Sequence, residues 1–503
     1  MAFRNIDVGN VMLSAVAKEN LAYVDKTRFI DCLERLGTRV PVLLRARRFG
    51  KSFLAWTLFY YYDQSCACDF EENFKGTWIH DHKTALAGSC RCLMLNFSTV
   101  DSSMERVESS FGSRLASGII SFAKQYPRFG FSDDELRDLR KLPPESIMSS
   151  FLDMYLQRCD DGVPLNVIID EYDHFANEIL TTDKNAFKKI TSTEKGNEGL
   201  IKRFYACLKA YFGPNKIAPI GRFFITGVSA VSLDSLTSGF NIATNISSNA
   251  ACSAMAGFTR QELSGLIDET VDFSTLRGLS KQEIMDVMER FYDGYVFSPQ
   301  SEEHVFNSNM CLSFLSRLLD EGAIPADFAD SGMGTDNDTL NGLFALCDKK
   351  TADEITNAVL NRQGIAAKPP KLLNLNQTEQ FDRQQMMSLL SYLGFLTYDP
   401  EGSAANLADT FHCPNEIFFE AFADYAAQRI GLSASSSARL EEMIRRNDPA
   451  PLLEAVHENL AALPPSGSKW LNETAIQLCF FTTVKDASSR YLRPFMEYDT
   501  GDH

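Results

Sequence analysis

Long apolar runs are absent from this sequence, and several other marks of specialised proteins are missing as well. No stretch approaches the ~20 consecutive apolar residues that a membrane-spanning helix needs. No charged segment followed by an apolar one opens the chain, so no secretory signal is visible. There is also no low-complexity block, heptad array or repeat, and 503 residues with 45% hydrophobic content exclude a wholly disordered chain. We therefore expect an intracellular protein, cytoplasmic or nuclear, with two to four domains and no membrane partner.

Cysteine is too sparse for a disulfide scaffold. The chain has 12 cysteines in 503 residues, which, with no visible signal, predicts reduced thiols. The residues that could bind zinc within one short region are Cys66, Cys68, His80, His82, Cys90 and Cys92. However, Cys92 opens an apolar run typical of a core strand. Ordinary thiols and surface histidines are therefore the favoured interpretation, with zinc as the alternative.

Basic residues are outnumbered by acidic ones. The counts are 49 Lys and Arg against 66 Asp and Glu, a formal net charge of −17 at pH 7. A surface this acidic does not coat nucleic acid or anionic membrane as a whole, so contact with nucleic acid would need a local basic patch. Such a patch occurs between Arg35 and Ser52, where six residues are basic and none is acidic.

The first half of the chain alternates short apolar strands with helices. The predicted strands are residues 40–44, 93–97, 165–169 and 222–226. Continuous apolar strands separated by helical stretches predict a parallel sheet covered on both faces. After about residue 257 strands become scarce and amphipathic helices begin, the first with a capping box of Thr259 and Glu262. The sequence therefore predicts an α/β core followed by a mainly helical second half.

The most specific motif is a Gly-Lys-Ser triplet between a strand that ends at Leu44 and a helical stretch that begins at Phe53. Strand, loop and helix in this order are the context of a nucleotide-phosphate loop. Gly50 lets the backbone approach phosphate oxygens, Lys51 would reach the β- and γ-phosphates, and the Ser52 hydroxyl would bind Mg²⁺.

The nucleotide contact predicted from this loop runs from Arg48 to Phe53. Its residues are Arg48, Phe49, Gly50, Lys51, Ser52 and Phe53. Arg45 stands where the loop consensus has its first glycine, so the match is degenerate and a plain basic loop is the alternative. The same departure motivates a second hypothesis, in which the fold is a catalytically idle binding or scaffold module.

Two other strand ends carry the chemistry that such a loop requires. One apolar strand ends in Asp170 and Glu171. In phosphate-loop ATPases the first acid holds Mg²⁺, and a following glutamate activates the attacking water as general base. Another strand ends at Thr226, whose hydroxyl would sense the γ-phosphate if the strands are adjacent. A plain strand-ending threonine before a turn glycine is the alternative.

Seven short motifs then occur in order along the chain. They are Tyr23–Thr27, Arg47–Ser52, Ile169–Asp173, Thr226–Ser229, Gly257–Thr259, Tyr292–Tyr295 and Pro414–Glu416. Over about residues 3–430 this set resembles the AAA-ATPase-like NTPase family, P-loop proteins commonly fused to a C-terminal PD-(D/E)XK nuclease domain and also found among Crinkler-type effectors. The resemblance implies an additional-strand, catalytic-glutamate P-loop fold that uses ATP and Mg²⁺. Ala46 departs from the proline usual in the family.

The resemblance also implies a domain order and residue roles. The expected units are a P-loop core at 1–257, a helical lid at 258–345, a helical, winged-helix-like domain at 346–469 and a remnant of a truncated nuclease domain at 470–503. Lys51, Glu171 and Thr226 take catalytic roles, and Ser52 and Asp170 bind the metal. The expected function is Mg-dependent ATP hydrolysis that drives a conformational switch and regulates an attached or partner nuclease or effector.

The role of the motif Tyr23–Thr27 stays open. It either closes over the nucleotide base or forms a helix-capping turn.

The last segment of the chain lacks a nuclease motif. No Asp/Glu-x-Lys triplet lies between Glu473 and His503, so cleavage of nucleic acid by the nuclease mechanism is not expected. An ordinary closing element of the preceding domain is the alternative interpretation of this segment. The C-terminal half is a candidate contact for a nucleic acid or protein partner, and oligomerisation is left open.

Overall fold

A computed structural model describes most of the chain. The described residues are 3–9, 13–159, 161–192, 196–213, 219–230, 240–276, 278–301, 303–325, 327–328, 337–368, 380–406, 409–430, 442–443, 445–461, 478 and 480. The nuclease remnant predicted at 470–503 lies outside them apart from Leu478 and Phe480, so that prediction is not tested.

A five-stranded parallel sheet forms the centre of the first half. Its strands are β1 (Pro41–Leu44), β2 (Arg91–Asn96), β3 (Leu165–Asp170), β4 (Ile220–Gly227) and β5 (Thr244–Asn245). They lie in the order β2-β3-β4-β1-β5, and each neighbouring pair is parallel. The four predicted strands are confirmed to within two residues at each end. Strand β5 is too short and too exposed to show in an apolar pattern.

Helices cover both faces of this sheet. They are α1 (Leu13–Lys18), α2 (Arg28–Arg35), α3 (Lys51–Tyr62), α4 (Phe70–Phe74), α5 (Trp78–Asp81), α6 (Val107–Gln125), α7 (Asp133–Leu139), α8 (Pro144–Arg158), α9 (His174–Thr182), α10 (Lys184–Thr191) and α11 (Leu200–Ala210). Every residue of β1 and β3 is buried. Because alternate side chains of a strand point to opposite faces, complete burial requires cover on both sides.

A second, smaller apolar cluster begins where the sequence changes character. It spans Phe258 to Phe328 with Ile417 packed into it. Its elements are β6 (Phe258–Thr259), α12 (Arg260–Thr270), α13 (Lys281–Tyr292), β7 (Val305–Phe306) and α14 (Ser308–Glu321), with β6 and β7 antiparallel. The capping box of Thr259 and Glu262 at the start of α12 is confirmed. The predicted domain boundaries themselves stay predictions.

The remaining elements form a region of helices around a small antiparallel sheet. They are α15 (Asn337–Phe344), α16 (Lys349–Leu360), β8 (Ile365–Ala366), α17 (Arg383–Leu393), β9 (Thr397–Asp399), α18 (Pro400–Asn406), β10 (Thr410–His412), α19 (Glu416–Ile430) and α20 (Ala450–Ala461). The strand order is β8-β10-β9. Gly394 ends α17 at a φ of 87°, and β9 begins three residues later at Thr397. The winged-helix-like assignment stays a prediction.

This C-terminal region packs against the part of the chain that contains the parallel sheet. Its buried residues, among them Phe395 and Phe422, belong to the same apolar cluster as Leu43 and Ile169 of the central sheet. The helices α12–α14 fall in the segment predicted as a helical lid, which is called the lid below, and they have the separate cluster. The C-terminal region therefore shares a core with the parallel sheet.

The candidate zinc ligands have other contacts. The ring nitrogens of His80 lie 2.9 Å from carboxylate oxygens of Glu71 and Asp81, and the ring of His82 stacks on Trp78 at 3.9 Å. Among the described residues, no three His, Cys, Asp or Glu side chains are grouped to share a metal ion. The helices of that same part of the chain include none with both the length and the apolar character needed to cross a membrane.

We expect Gly227→Ala to destabilise the sheet at the edge where the parallel strands have their carboxyl ends. Gly227 ends β4, and a Cβ atom there would overlap the ring of Tyr172 and the carboxylate of Asp173. Overpacking of this kind lowers the free energy of unfolding by about 1–3 kcal/mol, which a urea titration measures. Gly265→Ala is the matched control, because no atom lies within 4 Å of the added Cβ and alanine is about 1 kcal/mol better than glycine inside a helix. Equal stability of the two variants would contradict the packing described at β4.

Candidate functional site

The Gly-Lys-Ser loop lies at the carboxyl edge of the parallel sheet. It leaves β1 after Leu44, and α3 begins at Lys51 directly after Gly50, whose φ is 84°. The first helical hydrogen bond joins Leu54 N–H to the Gly50 carbonyl at 3.1 Å. The N–H groups that precede Leu54 therefore have no acceptor within the helix. Such a helix start, with its positive dipole end, favours an anion.

Lys51 and Glu171 meet beside this loop. Lys51 Nζ lies 3.1 Å from the Ala46 carbonyl oxygen and 3.6 Å from Glu171 Oε1. The Lys51 side chain is buried, whereas that of Glu171 is partly exposed. Glu171 follows β3 with a φ of 55°, which is uncommon for a residue with a Cβ and recurs at functional sites. The structure thus brings two of the predicted catalytic residues together.

Asp170 is the centre of a buried hydrogen-bond network. Thr226 Oγ1 donates to Asp170 Oδ1 at 2.6 Å, and Asn96 Nδ2 donates to Oδ2 at 3.0 Å. Burial raises the pKa of Asp170, and hydrogen bonding from Thr226 and then from Ser52 opposes that rise. The two predicted metal ligands, Ser52 and Asp170, therefore lie near each other.

These oxygen donors fit Mg²⁺. The ion prefers hard oxygen ligands and is commonly bound through one or two carboxylates together with substrate phosphates and water. Within the described ranges no larger group of His, Cys, Asp and Glu stands at this position. The protein would supply the Ser52 hydroxyl and the Asp170 carboxylate, and the phosphates and water would supply the other ligands.

Thr226 satisfies the adjacency that the sequence argument required. It pairs with Leu43 of β1, and its neighbour Ile225 pairs with Ile169 of β3. Its hydroxyl is directed to Asp170, so it contacts the predicted metal ligand. A role in sensing the γ-phosphate stays a prediction.

Asn96 is the site residue that sequence reasoning missed. It ends β2 and lies opposite Asp170 in the register of the sheet. A signal was present, because Asn96 is a polar residue at the end of an apolar run, Leu93 to Leu95. Only the pairing of β2 with β3 shows that this amide faces the acid.

Arg45 is directed away from the phosphate loop. Its guanidinium donates to the carbonyl oxygens of Leu44, Ser247 and Cys252 at 2.8–3.0 Å and lies 3.9 Å above the ring of Phe297. Only 1% of the residue is exposed, and this burial lowers the pKa of Arg45 to about 9. Its side chain does not line the cavity beside Lys51. The arginine at the consensus glycine position therefore occupies a separate carbonyl cage.

The other predicted contact residues differ in what they present. The ring of Phe49 is buried edge-on against Tyr295 at 4.8 Å and Phe297 at 5.3 Å, so it anchors the loop. Arg48 is half-buried, with Nη1 3.4 Å from Asn309 Oδ1, and Arg47 is exposed. Phe49 can therefore meet a nucleotide only through its backbone.

A cavity of about 340 Å³ opens beside the loop. Its polar lining includes Lys51, Ser52 and Glu171, together with Asp7, Lys26, Arg48 and Asn309. Its apolar lining comes from the N-terminal segment, α3 and the lid: Val16, Leu21, Tyr23, Val24, Phe53, Phe258, Leu266 and Leu312. Ligand sites commonly combine an apolar wall with a few convergent polar groups, and this volume is at the lower end of their range.

The motif Tyr23–Thr27 borders the cavity and also forms a turn before α2, and closure over a nucleotide base stays a prediction. Tyr23 lines the cavity, with its ring 5.5 Å from the ring of Phe53. Asp25 forms a turn, in which Oδ1 accepts from Thr27 N–H at 2.8 Å and Oδ2 from Trp78 N–H at 2.6 Å. Lys26 joins the segment to the lid through Glu262 at 2.6 Å.

Comparison with known proteins supports this description for the first part of the chain. Residues 8–237 match the family described as "Predicted AAA-ATPase". Among solved structures, the chain is similar to a Walker-type ATPase of Pyrococcus abyssi at 13% identity and a TM-score of 0.41, over 82% of this chain and 99% of that one. At this level that similarity supports no argument about fold or function. No curated protein matches the chain.

The phosphate loop, the acid pair and the threonine strand end all lie within the matched segment. Residues 8–237, a little under half of the chain, are thus similar to the AAA-ATPase-like family.

Proposed function

We propose that the chain binds ATP together with Mg²⁺ in the cavity beside α3, hydrolyses it, and couples hydrolysis to a change in how its second half packs on the sheet. The observation that carries the proposal is that Lys51, Ser52 and Glu171 line one cavity together with apolar side chains, with the buried acid Asp170 directly before Glu171. The family match over residues 8–237 supports nucleotide binding and hydrolysis in general.

Each polar residue has a role that its position supports. Lys51 and the free N–H groups at the start of α3 bind the β- and γ-phosphates. Mg²⁺, when bound by Ser52 and Asp170, supplies positive charge to the same phosphate oxygens. Glu171, the more exposed of the two acids, accepts a proton from the attacking water. Glu171 pairs with Lys51, so binding of phosphate to Lys51 would release it for this role.

The apolar lining of the cavity suits a nucleobase. Tyr23 and Phe53 contribute neighbouring aromatic rings to it, and Val24 and Leu312 add aliphatic surface. Burial raises the pKa of Tyr23 well above its ordinary value, so its hydroxyl is neutral at physiological pH. A flat, uncharged base is the part of ATP that such a wall accepts.

The proposed switch rests on contacts between the loop and the C-terminal region. The Phe49 ring packs on Tyr295, and Tyr295 packs edge-on against Phe418 of α19 at 6.3 Å. Next to Tyr295, Asn415 Nδ2 donates to the Asp293 carbonyl at 3.0 Å. Val296 N–H donates to Thr397 Oγ1 of β9 at 2.7 Å. A movement of the loop on nucleotide binding is therefore transmitted through packed side chains.

Lys51→Ala is expected to remove ATP binding beyond detection, because the phosphates lose the buried cation that reaches them. Isothermal titration calorimetry with Mg-ATP measures the affinity. Lys124→Ala is the control, since Lys124 is exposed on α6 and does not line the cavity. Unchanged affinity in Lys51→Ala would refute the site.

Glu171→Gln is expected to keep ATP affinity near that of the wild type and to slow phosphate release by about 10²–10⁴-fold, the usual contribution of a general base. Glu105→Gln, at an exposed position outside the cavity, is the control. Phosphate release that is lost in Asp170→Asn supports the enzyme. Tight binding with no turnover in the wild type would instead establish the idle scaffold that Arg45 first suggested.

Binding of a non-hydrolysable ATP analogue is expected to change amide hydrogen exchange at residues 293–297, 394–398 and 414–418 as well as at the loop. The first three segments contain the contacts through which the loop meets the C-terminal region. Lys51→Ala is the control and should show no change. Exchange differences confined to residues 45–53 in the wild type would exclude the switch.

A further inference from the structure

The backbone carbonyls from Ala46 to Gly50 in the phosphate loop are all engaged. The Ala46 carbonyl accepts from Lys51 Nζ at 3.1 Å, and the Gly50 carbonyl accepts from Leu54 N–H at 3.1 Å. Those two donors belong to α3. The three carbonyls between them accept from the lid and from Gly257 directly before it, more than 200 residues further along the chain.

All but one of these donors lie at the start of α14. Asn307 Nδ2 donates to the Arg47 carbonyl at 3.2 Å. Ser308 Oγ donates to the Arg48 carbonyl at 3.2 Å, and Asn309 N–H donates to the same oxygen at 3.1 Å. Gly257 N–H donates to the Phe49 carbonyl at 2.9 Å. The N–H of Asn309, which has no acceptor within α14, is thus satisfied by the loop.

These bonds control the direction of the loop N–H groups. In a trans peptide the C=O of one residue and the N–H of the next point in opposite directions. Holding the carbonyls of Arg47, Arg48 and Phe49 against the lid therefore turns the N–H groups of Arg48, Phe49 and Gly50 the other way. A carbonyl turned inward would instead present negative partial charge to a phosphate.

This loop needs such support because it is poor in glycine. From Arg45 to Gly50, only the last residue is glycine. Arg48 has a φ of 70°, in the left-handed region that a residue with a Cβ rarely adopts. Neither the residue types nor the turn would hold this conformation unaided, so an external brace is required.

We propose that Asn307 and Ser308 are positioning residues, which brace the phosphate loop in its anion-binding conformation and so make nucleotide affinity depend on the position of the lid. The inference rests on the proposed function, since it concerns the loop as a phosphate site. Asn307 has two contacts that can be separated: Nδ2 braces the loop, while Oδ1 accepts from Met310 N–H at 3.3 Å and caps α14. Ser308 is 6% exposed and contributes only its hydroxyl.

The test is the double variant Asn307→Ser, Ser308→Ala. Serine at 307 keeps a helix-capping oxygen but cannot reach the Arg47 carbonyl, so α14 retains its cap. With two hydrogen bonds removed, the dissociation constant for Mg-ATP measured by calorimetry should rise about tenfold. KM should rise by a similar factor with kcat nearly unchanged, because Lys51, Asp170 and Glu171 are untouched.

A matched control separates bracing from general weakening of the lid. Ser280→Ala removes the cap of α13, where Ser280 Oγ accepts from Glu283 N–H at 3.3 Å, and leaves the loop contacts intact. It should lower thermal stability without changing ATP affinity. In the nucleotide-free proteins, amide exchange at residues 46–50 should be faster than in the wild type for the double variant only.

The possible outcomes are distinct. Tenfold weaker ATP binding together with faster loop exchange, in the double variant alone, supports the brace. If the wild type binds ATP and the double variant binds it equally tightly, the brace is refuted and the proposed function stands. If Ser280→Ala weakens ATP binding as much as the double variant does, the effect is general to the lid and the brace is refuted. If the wild type binds no nucleotide, both proposals fail.

Discussion

The whole site depends on the insertion of β4 between β1 and β3 in a parallel sheet. Because all three strands run in the same direction, their carboxyl ends meet at one edge. The loop after Leu44, the acids after Ile169 and the hydroxyl of Thr226 therefore meet although they are far apart in the chain. Lys51 Nζ lies 3.6 Å from Glu171 Oε1, and Thr226 Oγ1 donates to Asp170 Oδ1 at 2.6 Å. A sheet with β1 directly beside β3 would leave no place for the threonine that contacts Asp170.

The two buried cations at this edge, Lys51 and Arg45, differ in their electrostatic partners. Lys51 faces the cavity and has Glu171 as its partner, so its charge is available for phosphate. Arg45, six residues earlier, has carbonyl oxygens and the face of Phe297 as its partners. Burial lowers the pKa of Arg45, because these partners only partly replace the water that the guanidinium loses. These hydrogen bonds connect the end of β1 to the segment around Cys252, and they stabilise the start of the loop.

Two regions of the second half of the chain contact this site, and each uses a different kind of interaction. The lid, with an apolar cluster of its own, touches the loop through hydrogen bonds from Asn307 to Asn309. The C-terminal region shares the core of the sheet and reaches the loop through aromatic contacts of Tyr295 and Phe418. Tertiary packing thus places both regions within one or two contacts of the residues proposed to bind phosphate, which is the geometry that the proposed nucleotide-dependent rearrangement requires.

Local pattern carries most of what the sequence by itself determined. Apolar runs bounded by turn residues indicated four of the five strands of the parallel sheet, and the Gly-Lys-Ser triplet with the Asp170–Glu171 pair indicated the phosphate and acid positions. These features depend on neighbours in the chain, so they are readable without coordinates. The domain limits and the roles of the C-terminal elements stay predictions.

Tertiary structure alone decided the contacts between distant segments. The partner of Asn96, the carbonyl cage of Arg45 and the bracing of the loop by α14 all join residues whose spacing follows no local rule. The amide of Asn96 looks like any polar strand end until the register of β2 and β3 sets it against Asp170. The arginine in place of a glycine looked like a defect of the loop, because sequence shows which residue stands there but not where its side chain points. Buried polar groups must find partners wherever the fold offers them, and that choice is made only when the chain is packed.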